Sequence, residues 1–404
     1  MELVETFNMA LNTLTTNKFR STLTMLGIVI GNASVIAMVG IGQGGQRLAE
    51  AEFLKLGSNL LFVNPGSPEV QDQPVNLPET LVLSDAIAIK NQVPTIKAVA
   101  PEINVRELVS YRNKNTNTLV TGTTPESTFV RNFRIAKGRF LSQLDIERNN
   151  QVIVLGADLS SQLFGNHDPI GEKIRVKQVS FTVVGVMSSK GSFLGNNLDD
   201  AVFIPISVMS TRISGQTSPH GIELSTIWLS AKDKKSVPIA KFQITNLLRL
   251  RHRITQEDDF TVETLDEVLG VVDAITGGLA LMMVVIAGIS LIVGGTGIMN
   301  MLLVSVNERT NEIGLRKAIG ATQTDILTQF LIEAIILSVI GGTAGILVGV
   351  LGVGLIGVAT PLKAGVSMIA VLVSVSVSGT IGLVFGVIPA KQAAKLDPIV
   401  ALRN

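Results

Sequence analysis

Four stretches of this chain hold no charged residue: 26 residues between Arg20 and Arg47, 34 between Asp273 and Glu308, 29 between Glu333 and Lys363, and 27 between Lys363 and Lys391. A bilayer's hydrocarbon core, about 30 Å thick, is crossed by a helix of roughly 20 apolar residues, so each window is long enough to span it. The chain therefore reads as an integral membrane protein with four transmembrane α-helices. Residues 46–274 separate the first window from the second, while the later ones follow closely. One large domain must lie on one side of the membrane.

Lys18 and Arg20 precede the first span, Arg309, Arg316 and Lys317 lie between the second and third, and Lys391, Lys395 and Arg403 follow the fourth. The opposing short loop offers Lys363 alone. The excess of basic residues on cytoplasmic loops then predicts cytoplasmic termini, a cytoplasmic 307–325 loop and an external domain at 46–274. That domain holds 24 of the 33 Lys and Arg and 25 of the 32 Asp and Glu, so it is nearly neutral and unlike a nucleic-acid binder. The absence of cysteine excludes disulfides, lipid-attachment cysteines and thiolate metal sites. A domain of this length can nonetheless stand on its own apolar core. The first window is too long for the apolar region of a cleaved signal peptide and is expected to stay as an anchor.

The pattern divides the chain further. Leu3, Phe7, Ala10, Leu11 and Leu14 fall at helical spacing, predicting an amphipathic cytoplasmic helix over 1–20 that lies on the membrane surface, with a disordered tail as the alternative. Spans are expected at 21–45, 275–306, 326–356 and 367–390, with a short outer loop at 357–366 and a cytoplasmic C-terminal segment at 391–404. In the external domain, strand-like runs at 59–64, 96–100, 225–230 and 260–262 flank helical runs at 84–92 and 239–250, giving a β-α-β unit at each end. Pro65, Pro68, Pro74 and Pro78 mark an irregular connection. Short β-rich runs at 151–155, 173–176, 181–186 and 201–204 predict an all-β or mixed insert, so the external domain is expected to be α+β with a β-rich inserted lobe. Thr264 and Glu267 form a capping-box signature, and no proline interrupts residues 265–306. A helix of that length spans roughly 60 Å, twice the hydrocarbon thickness, so residues 265–274 should project as a stalk. A break at Gly277-Gly278 is the alternative.

Between the second and third spans stands VNERTNEIGLRKAIGA at 306–321, where Glu312 and Arg316 form an i,i+4 pair and Ile313 and Ile319 offer an apolar edge. Gly341, Gly345 and Gly349 repeat every fourth residue in the third span, the pattern of a close helix-packing face. Gly40, Gly42 and Gly45 complete a Gly-x-Gly-x-x-Gly, but it leaves a membrane span rather than a strand, which excludes a dinucleotide site. His167, His220 and His252 are far apart with no cysteine to join them, so no metal is expected. The runs Asp199-Asp200, Glu257-Asp258-Asp259 and 249–253 read as solvated surface. No nucleophile, base and orienter can be assembled, and no enzyme is expected. The spans are read as free of internal Asp, Glu, Lys and Arg, which disfavours an ion-coupled carrier.

The 306–321 segment resembles the cytoplasmic signature of the permease superfamily that includes FtsX, the lipoprotein-releasing permeases and MacB. The opening NKFRSTLTMLGIVIG at 17–31 and the ending PAKQAAKLDPIVALR at 389–403 are similar to MacB-type permeases. So are Gly138-Arg139-Phe140, Leu163-Phe164-Gly165, Asp168-Pro169-Ile170-Gly171 and FTVVGV at 181–186 in the external domain. The resemblance implies one half of a homodimeric ABC transporter in a bacterial plasma (inner) membrane. Its external domain would comprise a porter-like part near 46–120 and 222–264 and an inserted lobe near 121–221. Its cytoplasmic loop would be a coupling helix, with Glu308, Arg309, Glu312, Ile313, Arg316 and Lys317 facing the ATPase. MacB-type permeases resemble fusions with their ATPase, whereas no Gly-x-x-x-x-Gly-Lys-Ser/Thr loop occurs here. The expectation is a separate ATPase subunit that binds ATP and Mg, with no cofactor on this chain. A periplasmic adaptor, an outer-membrane channel and membrane lipid are the other expected partners. Export of a drug, peptide, lipid or lipoprotein-like substrate is the leading reading. The alternatives are an FtsX-like mechanotransmitting regulator of an external hydrolase and, from the residues alone, a membrane-bound enzyme.

Overall fold

The computed structural model describes residues 18–54, 57, 59–66, 80–193, 196–215, 221–255, 257–360 and 365–403. Residues 1–17 of the expected amphipathic helix, most of the proline-marked connection and part of the short outer loop lie outside the described residues. The chain divides into two units, Glu50–Gly270 and Met1–Ala49 with Val271–Asn404.

The Glu50–Gly270 unit is built on one ten-stranded mixed sheet. Its strands are β1 (Leu60–Pro65), β2 (Ile96–Tyr111), β3 (Lys114–Thr123), β4 (Ile135–Gly138), β5 (Val152–Leu155), β6 (Lys173–Val176), β7 (Val179–Met187), β10 (Ala201–Pro205), β11 (Thr226–Ala231) and β12 (Phe260–Thr264). The short pair β8 (Ser192–Phe193) and β9 (Asn196–Asn197) forms a separate ladder. The order across the sheet is β12-β1-β11-β2-β3-β10-β5-β7-β4, with β6 joined to β2 and β7. Helices α2 (Leu83–Gln92) and α7 (Val237–His252) supply Ala86, Ile89, Ala240, Ile244 and Leu248 to one core with Leu61, Val63, Val99, Ile227 and Leu229 of the strands. Leu61 and Val63, like Ile227 and Leu229, reach this core with the period of two of a strand, and the alternate residues Leu60, Phe62 and Trp228 are buried on the other face. Shorter helices α3 (Ser127–Val130), α4 (Gln143–Glu147), α5 (Ala157–Phe164) and α6 (Ile206–Val208) lie between the later strands. Phe133, Phe140, Leu141, Val154, Met187 and Phe203 form a second core there.

One strand differs from expectation. The sequence reading ends β2 near Ala100, before Pro101, yet the strand continues to Tyr111. Residues 96–102 pair with β11, and 103–111 pair with β3. Pro101 sits at the changeover, where the strand has a neighbour on one side only, and such positions tolerate the missing N–H. The division between the first group of strands and the inserted group therefore falls inside β2, earlier than residue 121.

Among the described residues, four helices are long and apolar enough to cross a membrane: α1 (Lys18–Leu54), α8 (Leu265–Glu308), α10 (Gln323–Ala359) and α11 (Met368–Lys395). Two short helices, α9 (Thr310–Ala318) and α12 (Pro398–Arg403), follow α8 and α11. β12 leads directly into α8 through the capping box: the Thr264 N–H donates to Glu267 Oε2 at 3.0 Å, and the Glu267 N–H donates to Thr264 Oγ1 at 3.2 Å. α8 runs 44 residues without a break at Gly277-Gly278. Ile28 of α1, Leu291, Ile298 and Leu302 of α8, and Ala334 and Leu337 of α10 share one apolar cluster.

Candidate functional site

The loop between α8 and α10 is folded onto its neighbours. Arg309, with φ −102° and ψ 15°, ends α8 and caps α9. The inner face of α9 carries Ile313, 2% exposed, into a cluster with Val306, Ile326, Phe330, Ala390 and Ala393. Lys317 Nζ donates to the carbonyls of Ala394 at 2.5 Å and Leu396 at 2.8 Å, so its ammonium caps the C-terminal end of α11. That placement meets both the orphan carbonyls and the negative end of the helix dipole. Arg316 donates from Nη1 to Gln329 Oε1 at 3.0 Å and from Nη2 to Glu312 Oε1 at 2.6 Å. Arg309 Nη1 lies 3.8 Å from Glu333 Oε2.

Of the six residues expected to face an ATPase, Arg309, Ile313, Arg316 and Lys317 thus bind α9 to the rest of the bundle. Glu308 and Glu312 are exposed. The apolar edge is redistributed: Ile313 is an internal anchor, while Leu315 of α9 and Ile319, just past the helix end, are exposed. Their i,i+4 spacing was the available signal for this edge. Glu333 corrects the reading that the spans hold no ionisable residue: it lies within α10 and is 1% exposed. A buried intramembrane carboxylate is expected to have a partner, and Arg309 is the cation beside it.

The three glycines of α10 differ in what they permit. A Cβ on Gly345 would lie 2.7 Å from the Val29 carbonyl oxygen of α1, and one on Gly349 would lie 2.8 Å from Ile36 Cβ. At Gly341 the nearest atom, Ile28 Cγ2, would be at an ordinary 3.5 Å. Gly27 and Gly294 bring α1 and α8 equally close, and Gly342 faces Ser378 of α11. Asn32 of α1, 1% exposed, donates from Nδ2 to Ser378 Oγ at 2.6 Å, linking two helices in the same layer.

In the Glu50–Gly270 unit, the charge runs read as solvated surface are exposed at Arg249, Arg251, Arg253 and Glu257, but several of their members are also paired. Arg249 donates to both carboxylate oxygens of Asp258 at 2.7 and 2.8 Å. His252 places Nδ1 at 2.8 Å from Asp259 Oδ1 and Nε2 at 3.2 Å from Asp85 Oδ2, and Arg251 Nε donates to Asp85 Oδ1 at 2.7 Å. Both ring nitrogens meet acceptor-only carboxylates, the geometry of an imidazolium. Hydrogen bonding to Asp85 and then to Asp259 raises the His252 pKa above its ordinary value. Burial opposes ionisation of Asp85, but bonds from His252 and Arg251 outweigh it and hold that carboxyl low. Asp199 is 5% exposed; its carboxylate accepts from Ser189 Oγ and from the Lys190 and Gly191 N–H groups, pinning a loop. Of these partners only Asp85 comes from a distant segment, 166 positions from Arg251, while the others lie within ten positions of one another.

A buried cluster joins the two groups of strands. Arg131 Nη1 donates to Glu102 Oε1 at 2.8 Å, Trp228 Nε1 donates to Glu102 Oε2 at 2.9 Å, and the guanidinium stacks over Trp228 and Phe133. Among the described residues, no group of three or more His, Cys, Asp or Glu could hold a metal ion.

Among the described residues, four apolar helices with a short anchored helix between two of them, and a large mixed sheet, are the architecture of an integral membrane protein. Residues 21–247 match the model of the MacB-like periplasmic core domain, and residues 284–398 match the FtsX-like permease C-terminal region. The chain belongs to the MacB family of permeases. Among its relatives are a macrolide export ATP-binding/permease protein MacB of Bdellovibrio bacteriovorus, 39% identical over all of this chain and 62% of that protein. Another is a pyoverdine export ATP-binding/permease protein PvdT of Pseudomonas savastanoi, 35% identical over all of this chain and 60% of that protein. The chain thus spans about three fifths of the length of these relatives. The periplasmic region of MacB from Actinobacillus actinomycetemcomitans is 21% identical, with a TM-score of 0.46, over 55% of this chain and 95% of that one.

Proposed function

We propose that this chain is the permease of a MacB-like ABC exporter. In this reading ATP hydrolysis by an ATP-binding component, which holds ATP and Mg, moves α9, and α8 carries the movement to the periplasmic domain. The observation that carries it is α8 itself, one helix of 44 residues between β12 and α9. Backbone hydrogen bonds along roughly 66 Å resist bending, so a tilt at one end is delivered at the other. Two copies of the chain would work together in the bacterial inner membrane with their termini cytoplasmic. A periplasmic adaptor and an outer-membrane channel would complete the route, and the substrate would be a drug, peptide, lipid or lipoprotein-like molecule captured outside or from the outer leaflet.

Reversing Glu312 to Lys tests the docking role. Glu312 is outward and half-exposed, so the substitution removes its pair with Arg316 but leaves the buried Ile313 and the bonds of Lys317 to α11 in place. The expected result is weakened association with the ATP-binding component, or hydrolysis without export. Unchanged co-purification together with unchanged export would overturn the docking role.

A further inference from the structure

We infer that the Glu50–Gly270 unit carries a binding site for a small uncharged carbonyl compound, on the face of its sheet turned away from α2 and α7. Val63, Ile103, Val120 and Ile227 point into the core beneath those helices. The residues that alternate with them point the other way. The ladder sets Phe62 against Trp228, Thr226 against Glu102 and Asn104 against Thr121, so these side chains share that second face. Arg131, after α3, and Leu198, after β9, close over them, and a cavity of about 160 Å³ remains. An apolar cavity of about 150 Å³ admits benzene, so this space takes a molecule of about six non-hydrogen atoms. Its mouth lies at Asn64, Asn104 and Thr226, which are partly exposed while Glu102, Thr121 and Trp228 are buried.

The hydrogen-bond inventory of the walls selects the ligand. The Glu102 carboxylate is already engaged by Arg131 Nη1 and Trp228 Nε1. Asn64 Oδ1 accepts from Thr226 Oγ1 at 3.0 Å and Asn104 Oδ1 from Thr121 Oγ1 at 2.8 Å, so each amide uses its oxygen on a neighbouring strand and keeps its NH₂ group to offer. Arg131 is 5% exposed, and its Nε is buried with no hydrogen-bond partner among the described residues. The cavity is therefore rich in donors, and a buried donor left unmade is costly until an acceptor meets it. Charge decides which acceptor. Arg131 and Glu102 cancel one another in the wall, and a carboxylate ligand would stand beside the carboxylate of Glu102, whereas a carbonyl oxygen takes the donors without that repulsion. The rings of Phe62 and Trp228, 5.1 Å apart, give the rest of the molecule an apolar wall. The inference concerns this unit alone and does not rest on the function proposed above.

Trp228 is the sole tryptophan, so its emission in the full chain in nanodiscs reports on this cavity directly. The probe is N-methylacetamide, with acetate at matched ionic strength as its charged counterpart. The expected result is a saturable change of emission with N-methylacetamide and none with acetate. Asn64→Leu removes one donor while Thr226 keeps the Ser225 carbonyl at 2.7 Å, and it should weaken binding about fivefold, the worth of one hydrogen bond. Asn91→Leu, on the exposed side of α2, should bind as the parent chain does. An acetylated, amidated trialanine separates two sources of such a carbonyl: binding tighter than N-methylacetamide places the group on a peptide chain, and no effect leaves a free small molecule. A change that never saturates and is the same in Asn64→Leu is a solvent effect and would overturn the site. Saturation by acetate at an equal or lower concentration would overturn the ligand class. Should Asn64→Leu melt below the parent chain, the comparison of N-methylacetamide with acetate on the parent chain decides.

Discussion

The membrane unit and the Glu50–Gly270 unit join their helices and strands with a different balance of contacts. In the membrane unit the contacts that fix the geometry are made where side chains are missing: Gly345 and Gly349 against α1, Gly27 against Gly294. Lipid tails are as apolar as leucine, so burying large side chains drives little association there, and close backbone approach must supply it. In the other unit water surrounds the domain, and large residues such as Phe181, Phe203 and Phe260 are fully buried while ion pairs are seated beneath aromatic rings. The difference teaches where the helix contacts of the membrane unit are vulnerable, to atoms added at Gly27, Gly345 and Gly349, whereas the other unit is exposed to the removal of core atoms as well as to atoms added at glycines such as Gly156 and Gly185.

The most severe way to probe that contrast removes atoms from the watery unit. Arg131→Met leaves the buried Glu102 carboxylate without its cation, which should cost about 3–5 kcal/mol. Trp228 is the sole tryptophan and sits in this cluster, so its fluorescence in a urea titration of the full chain reports the loss. Next in size, proline at both Gly270 and Val271 should cost about 3 kcal/mol each in local helix stability. Such a variant is expected to hydrolyse ATP with its partner but not to export; retained export with a demonstrably broken helix would mean that force travels by another span. Adding atoms to the membrane unit comes third. Gly345→Leu should destabilise by about 1–3 kcal/mol or displace α1, whereas Leu at Gly352, which has open space around it, should be tolerated in a thermal melt in nanodiscs. Equal tolerance would erase the contrast.

The smallest effect is set by pH. The raised pKa of His252 means that its ion pairs contribute fully below the unfolded value near 6.5 and are lost as pH rises through the folded value. Asp85 has the reverse sign, its contribution being lost as pH falls through its depressed pKa. Trp228-monitored stability should therefore decline on the alkaline side, and His252→Gln should flatten that limb. A slope unchanged by the substitution would show that the imidazole is not its source.

The same contrast explains what was readable in advance. Charge-free windows are a composition signal, so α1, α8, α10 and α11 stood out, and the Thr264-Glu267 cap is local in sequence. Partners brought together by folding left no such trace: Asp85 meets His252 across 167 positions, and Arg131 reaches Glu102 across 29. The expected inward or outward sense of Ile313 could not be read because a nine-residue helix shows an apolar residue on either edge, and only the packing of Phe330 and Ala390 decides which is buried. Strand β2 was cut short because proline is a sound stop signal wherever a strand is flanked on both sides.

That strand also has a mechanical meaning. Residues 96–102 belong to one group of strands and 103–111 to the next, so the backbone crosses the division as continuous extended chain rather than as a loop. Parts joined through a loop swing about a pivot; parts joined by a shared strand are connected by a flexure. A displacement of one group against the other would have to twist β2 along its length rather than bend a loop at this connection.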